Sequence, residues 1–240
     1  EMRPLVGPLA PLVARFFPAR QVRRLPYLFS VAPAAAATWS DLPLRLRPPA
    51  RRGFPPTHAL LDQAFGELLA AIEPVLAGRP YLFGERFTLG DASLYGELGM
   101  NLADPGAWAL IRRRAPATAR WVERLAAGDF SAHRAGGVLT LDATVAPLLD
   151  WIGRVFVPLM QQNHAAWTNR RQRGEMLFNE KAFDAGRALY DGVLLGHPFR
   201  SVAKTFQVRV WQDLRRAWDA LATDDRARLA ALMPAGGFTG

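Results

Sequence analysis

The sequence predicts an all-α protein. Apolar residues recur at helical spacing over most of the 240 residues, and no run alternates with period two long enough to make a strand. No strand–helix–strand order is visible either. Hydrophobic residues make up 50% of the composition, enough for a buried core and too many for a disordered chain.

The elements follow in order. Residues 1–56 read as an irregular Pro/Ala-rich lead-in with one helix over 9–25, carried by Leu12, Val13, Phe16, Phe17, Val22 and Leu25. Pro33, Pro43, Pro48, Pro49, Pro55 and Pro56 then mark a linker, because proline removes a donor and blocks helix continuation. From residue 57 the pattern sharpens. Leu60, Leu61, Ala64, Phe65, Leu68, Leu69, Ile72, Val75 and Leu76 share one helical stripe. Thr57 stands where a cap belongs, and Gly78 where a left-handed residue can end the helix. A short aromatic connection, Tyr81 to Phe87, follows.

The most informative stretch is Phe87-Thr88-Leu89-Gly90-Asp91-Ala92-Ser93-Leu94-Tyr95. Thr88 and Asp91 have the spacing of a capping box, with Asp in the usual Glu/Gln place. Ala92, Ser93, Gly96 and Gly99 are small and predict close helix packing. A helix from Trp108 to Ala126 carries Ile111, Ala115, Ala119, Trp121, Val122 and Leu125, with Pro116 expected to kink or split it. Beyond Gly136-Gly137 the character shifts, and residues 138–240 read as a helical extension. Its helices are expected over 141–170, with a kink at Pro158, over 179–195, over 201–221 with Ser201 as cap, and from Thr223 onward.

The composition excludes several chemistries. There are no cysteines, hence no disulfide, thiolate zinc site, iron–sulfur cluster or cysteine nucleophile. The net charge of +9 is nearly all arginine, scattered over several helices and interrupted by acids, so it argues against a dedicated nucleic-acid surface. No stretch is expected to span a membrane: the most apolar one, Val138 to Met160, contains Asp142, Asp150 and Arg154. The expected setting is cytoplasmic. Glu1 is not an initiator, so the chain is expected to be part of something longer.

Single residues offer no catalytic centre. His58, His133, His164 and His197 lack any metal-ligand spacing, and no metal is expected. Ser93 is not in a Gly-x-Ser-x-Gly elbow and reads as a packing residue. Trp151, Phe156, Trp167, Phe206, Trp211 and Trp218 fall on helical stripes and are assigned to core packing. Phe199 to Lys204 reads as a basic helix start, a place where an anion could sit. Thr88 and Asp91 are assigned to folding.

The run RPYLFGERFTLGDASLYGELGMN, followed by APATARWVERLAA, resembles the C-terminal helical domain of glutathione S-transferases. Gly84, Thr88, Asp91, Pro116 and Trp121 hold the matching places, while Gly90 stands where that family usually has Ala. The resemblance sets a domain at 57–135, clear over 57–127, and a fold of helical bundle plus extension. Residues 138–240 resemble the long extensions of some bacterial members. The resemblance implies a transferase-like parent with glutathione as co-substrate, an apolar electrophilic substrate and commonly a homodimer. In that family the thiol-activating residue lies in an N-terminal thioredoxin-like domain, for which this chain shows no pattern. The chain alone is therefore expected to be inactive. A non-enzymatic protein-interaction module is the alternative.

Overall fold

A computed structural model describes residues 58–103, 105–178, 182, 185–234 and 237–238. The expected lead-in helix, the proline linker and the Thr57 cap lie outside the described residues. Helices dominate, as an all-α class requires, with one two-stranded exception.

Helix α1 (His58–Gly78) buries Phe65, Leu69, Ile72, Val75 and Leu76 along one stripe. Gly78 is its last residue but does not take a positive φ, so the expected left-handed ending is absent. The left-handed glycine comes later. Gly84 has φ of 111°, closes a tight turn through paired backbone bonds with Tyr81, and bridges to Leu139. A Cβ there would lie 2.8 Å from the Val138 carbonyl oxygen, so both backbone and space demand glycine.

Helix α2 (Leu89–Gly99) runs into a 3-10 turn (Met100–Ala103), then α3 (Pro105–Arg114) and α4 (Pro116–Ala126). The single helix expected from Trp108 to Ala126 is thus split at Ala115. Pro116 suits the first position of the second piece, where its missing N–H costs nothing. Leu98, Leu110, Ile111, Ala115, Ala119, Trp121, Val122, Leu125 and Val145 close the core over α1.

A second long helical run follows. A 3-10 turn (Ala143–Val145), α5 (Ala146–Trp151), a π-helical turn (Ile152–Phe156) and α6 (Val157–Gln172) form one continuous rod. Pro158 lies just past the π turn, and the irregularity expected at that proline is this turn, one residue wider per hydrogen-bonded loop. Against the sequence expectation, the rod Ala143–Gln172 is long and apolar enough to cross a membrane by length and composition. Here it packs laterally on other elements. The Trp151 indole N–H donates to the Ala64 carbonyl at 3.0 Å, and Arg154 bonds both Asp150 (2.7 Å) and Glu67 of α1 (2.8 Å).

Residues 179–195 were expected to be helical, and over Leu189–Leu194 they are a strand instead. Strands β1 (Leu189–Leu194) and β2 (His197–Val202) form an antiparallel hairpin. Its two-residue turn is Leu195-Gly196, with φ of 50° and 77°. Positive φ at both positions matches the right-handed strand twist. Tyr190, Gly192 and Leu194 share a face with Ser201, Phe199 and His197, and that face joins Leu60, Ala64, Val155 and Leu159. The extension therefore packs on the first turns of α1. Helix α7 (Thr205–Asp219) begins four residues later than expected, so Ser201 caps nothing and lies buried on β2. Helix α8 (Thr223–Ala231) completes the order.

A small-residue helix face held by a buried carboxylate

Asp91 is the fixed point of the segment 81–100. It is fully buried, and its two carboxylate oxygens accept three hydrogen bonds. Oδ1 takes the Leu82 N–H at 2.7 Å; Oδ2 takes the Thr88 N–H at 2.9 Å and the Thr88 hydroxyl at 2.6 Å. The Thr88 oxygen in turn accepts from the Asp91 N–H at 3.4 Å. The box therefore does two jobs. It satisfies the open N–H groups of a helix start, and through Leu82 it ties that start to the preceding turn. A carboxylate fits because everything around it donates.

The orientation that Asp91 imposes on α2 decides which face looks outward. Asp91 and Leu98 point inward. Leu89, Ala92, Ser93 and Gly96 point outward, spaced as one helical stripe that Met100 continues. Leu89 is 83% and Met100 66% exposed, and a Cβ placed on Gly96 would meet nothing within 4 Å. This corrects the expectation that the small residues serve close packing: among the described residues, none covers them. The face is apolar, smooth and free of lysine or arginine. It carries one hydroxyl, Ser93, and the exposed carboxylate of Glu97 lies one turn further on.

A second carboxylate acts in the same way at longer range. Ala115 offers α4 no side-chain cap. Glu73 of α1 supplies one: it accepts the Ala117 N–H at 2.7 Å, the Thr118 N–H at 2.9 Å and the Thr118 hydroxyl at 2.8 Å. The pair lies 44 and 45 residues apart, and nothing in the sequence pattern signals it.

The extension is held by amides. Gln162 accepts the Val193 N–H (2.9 Å) and donates to the Val193 carbonyl (2.9 Å), satisfying a peptide unit on the open edge of β1. Asn163, fully buried, does the same for Lys204, accepting its N–H at 2.7 Å and donating to its carbonyl at 3.0 Å. Burial brings the Lys204 ammonium down to about 7. Burial also raises the Tyr190 hydroxyl, against the opposing hydrogen bond from Ser201. The stretch Phe199–Lys204, expected as a helix start able to seat an anion, is a strand. Its Arg200 forks onto Asp191 across the hairpin at 2.6 and 2.9 Å. That pairing holds the Asp191 carboxyl below its usual range.

The histidines do not converge. His133 Nδ1 accepts the Phe87 N–H at 3.1 Å, His197 Nε2 lies 2.9 Å from Gln63 Oε1, and His164 is half-buried on α6. No group of three potential metal ligands occurs among the described residues. Of the aromatics assigned to the core, Trp211 and Trp218 are buried; Phe206 is 75% exposed and is not a core residue.

Comparison with known proteins places the same segment. Residues 59–129 match the family model described as glutathione S-transferase, C-terminal domain. No curated protein and no solved structure matches the chain.

Proposed function

We propose that residues 57–135 are the substrate-side helical domain of a glutathione S-transferase-like protein, with residues 138–240 as an extension packed on it. The observation that carries this reading is the outward face of α2, Leu89 to Met100, lying within the matched segment. A largely apolar helix face, with Glu97 at its rim, is suited to wall an apolar electrophile. Such a wall supplies area and orientation and leaves thiol activation to another group. The family likeness assigns the glutathione site to a thioredoxin-like domain on the N-terminal side. There a glutathione thiolate would attack the electrophilic carbon, forming a C–S bond as the leaving group departs with its electron pair. The family relation also suggests a cytoplasmic homodimer. Thr88 and Asp91 act in folding alone.

Calorimetry with glutathione and with S-hexylglutathione tests this, on the chain with and without a thioredoxin-like domain at its N-terminal side. The joined protein is expected to bind S-hexylglutathione more tightly than glutathione. Gly96→Arg, which enters open space, is expected to remove the hexyl advantage. Equal affinity for the two ligands would sink the wall. Binding of neither would favour the second reading, in which the same exposed face docks another protein.

A further inference from the structure

The chain blunts the edges of its hairpin and leaves another extended edge bare. On β1, Gln162 takes both the N–H and the C=O of Val193, and Arg170 donates to the Leu189 carbonyl at 2.6 Å. On β2, Pro198 has no N–H to offer. Such covers keep other chains from pairing with a strand edge.

The bare edge is the extended stretch from Val138 to Asp142, past the matched residues 59–129. One side of it is committed. The Thr140 N–H donates to the Phe83 carbonyl at 2.8 Å, and Leu139 bridges antiparallel to Gly84. Arg79 fixes the same stretch, bonding Asp142 at 2.9 Å and reaching the Thr140 carbonyl at 3.4 Å. Successive peptide groups of extended backbone point to opposite edges, so those of Leu139 and Leu141 point away from Phe83. Among the described residues, none of these groups has a hydrogen-bond partner. The side chains around them are apolar and open: Val138 is 71%, Leu139 50% and Leu141 43% exposed. Neither a charge nor a proline interrupts Val138-Leu139-Thr140-Leu141.

We propose that this edge is a β-pairing site for an extended, largely apolar peptide segment of a partner protein. The N–H and C=O groups of Leu139 and Leu141 supply the main-chain bonds, spaced as another extended backbone requires. Leu139 and Leu141 on one face, and Val138 on the other, select apolar side chains at alternate positions. Phe83 and Arg79 already hold the stretch straight, so the partner segment bears most of the ordering cost.

The probe is a short peptide of alternating valine and threonine with a lysine at each end, added at millimolar concentration to the full chain. Its lysines keep a chain of net charge +9 from attracting it by charge alone. Amide hydrogen exchange followed by NMR reads the site. The Leu139 and Leu141 amides are expected to slow by about tenfold or more, while the Thr140 amide, already bonded to Phe83, changes little. A copy of the peptide methylated on its central nitrogens keeps every side chain but has no N–H to give, and it is expected to protect neither amide. Leu139→Lys, a charge on an exposed edge, should remove the protection by the unmethylated peptide. Unchanged exchange at Leu139 and Leu141 would overturn the proposal. So would equal protection by the methylated peptide, which would reduce the site to apolar contact, or protection retained in Leu139→Lys. Protection that grows with protein concentration in the absence of peptide would give the edge to a second copy of the chain and overturn it as well.

Discussion

The helical domain and its extension solve the same problem with different chemistry. In the domain, carboxylates hold the joints: Asp91 gathers Leu82 and Thr88, and Glu73 gathers Ala117 and Thr118. In the extension, amides do it: Gln162 clips Val193 and Asn163 clips Lys204. The difference follows from what each joint exposes. A helix N-terminus presents only donors, and an acceptor-only group with a negative charge matches it and the helix dipole. A strand edge or a strand-to-helix junction presents a donor and an acceptor side by side. Only a group with both, such as a side-chain amide, can satisfy it.

Exchange of the two chemistries is the strongest way to break this comparison. Asp91→Asn would turn an amide nitrogen against at least one of the three donors, and Asn163→Asp would set a carboxylate against the Lys204 carbonyl. Each is expected to cost on the order of 3 kcal/mol and to lower Tm by about 10 °C in thermal unfolding followed by circular dichroism. Asp91→Ala should likewise lower Tm. An exchange that left Tm unmoved would show that these joints do not discriminate.

Lys204 sharpens the contrast by its pH dependence. Its folded value is about 7 against an ordinary 10.5. Below about 7 both folded and unfolded chains hold the proton, and the fold bears the full cost of a buried ammonium. Between 7 and 10.5 the unfolded chain binds more protons, so stability rises with pH across that window. Lys204→Met is therefore expected to raise the urea midpoint at pH 6 and to raise it less at pH 9. A gain that is the same at both pH values would contradict burial as the cause.

A smaller effect is expected at the hairpin turn, where Leu195 holds φ of 50°. Leu195→Gly should stabilise by about 1 kcal/mol through relief of the left-handed penalty, read as a shift in the denaturant midpoint. The smallest belongs to Arg112, an exposed partner of Glu123. Arg112→Ala should change stability by under about 1 kcal/mol, and a salt titration should erase the difference.

Legibility from sequence tracks the range of each interaction. The Thr88–Asp91 box spans three residues and leaves a local signature, and the stripe of α1 repeats within its own length. The Glu73 cap and the Asn163 clip bridge more than 40 residues and leave none. The hairpin was hidden for a further reason. Leu189-Tyr190-Asp191-Gly192-Val193-Leu194 alternates poorly, because Gly192 stands on the inner face where a large apolar residue would announce a strand. Its vacancy is structural: a Cβ there would lie 2.5 Å from both Phe199 and Gln162. The Leu-Gly turn also lacks the Asn or Asp that usually marks such a bend. For α2, the small residues were visible, but their direction was not, since it depends on where Asp91 anchors the helix.

The π turn at Ile152–Phe156 fixes the angular phase of everything after it. Trp151, before it, faces α1; Asn163, beyond it, faces the start of α7. An α-helix advances about 100° per residue. The π turn takes up one extra residue in a wider loop, so loss of one codon within it would leave an unbroken α-helix with its two halves still in phase, whereas loss of one codon from the α-helical part between Val157 and Gln161 would rotate Gln162 and Asn163 away from their partners by that angle. Substitutions along the rod can accumulate one at a time, but its length is quantised everywhere except at residues 152–156, where one residue more or less is taken up by a single loop.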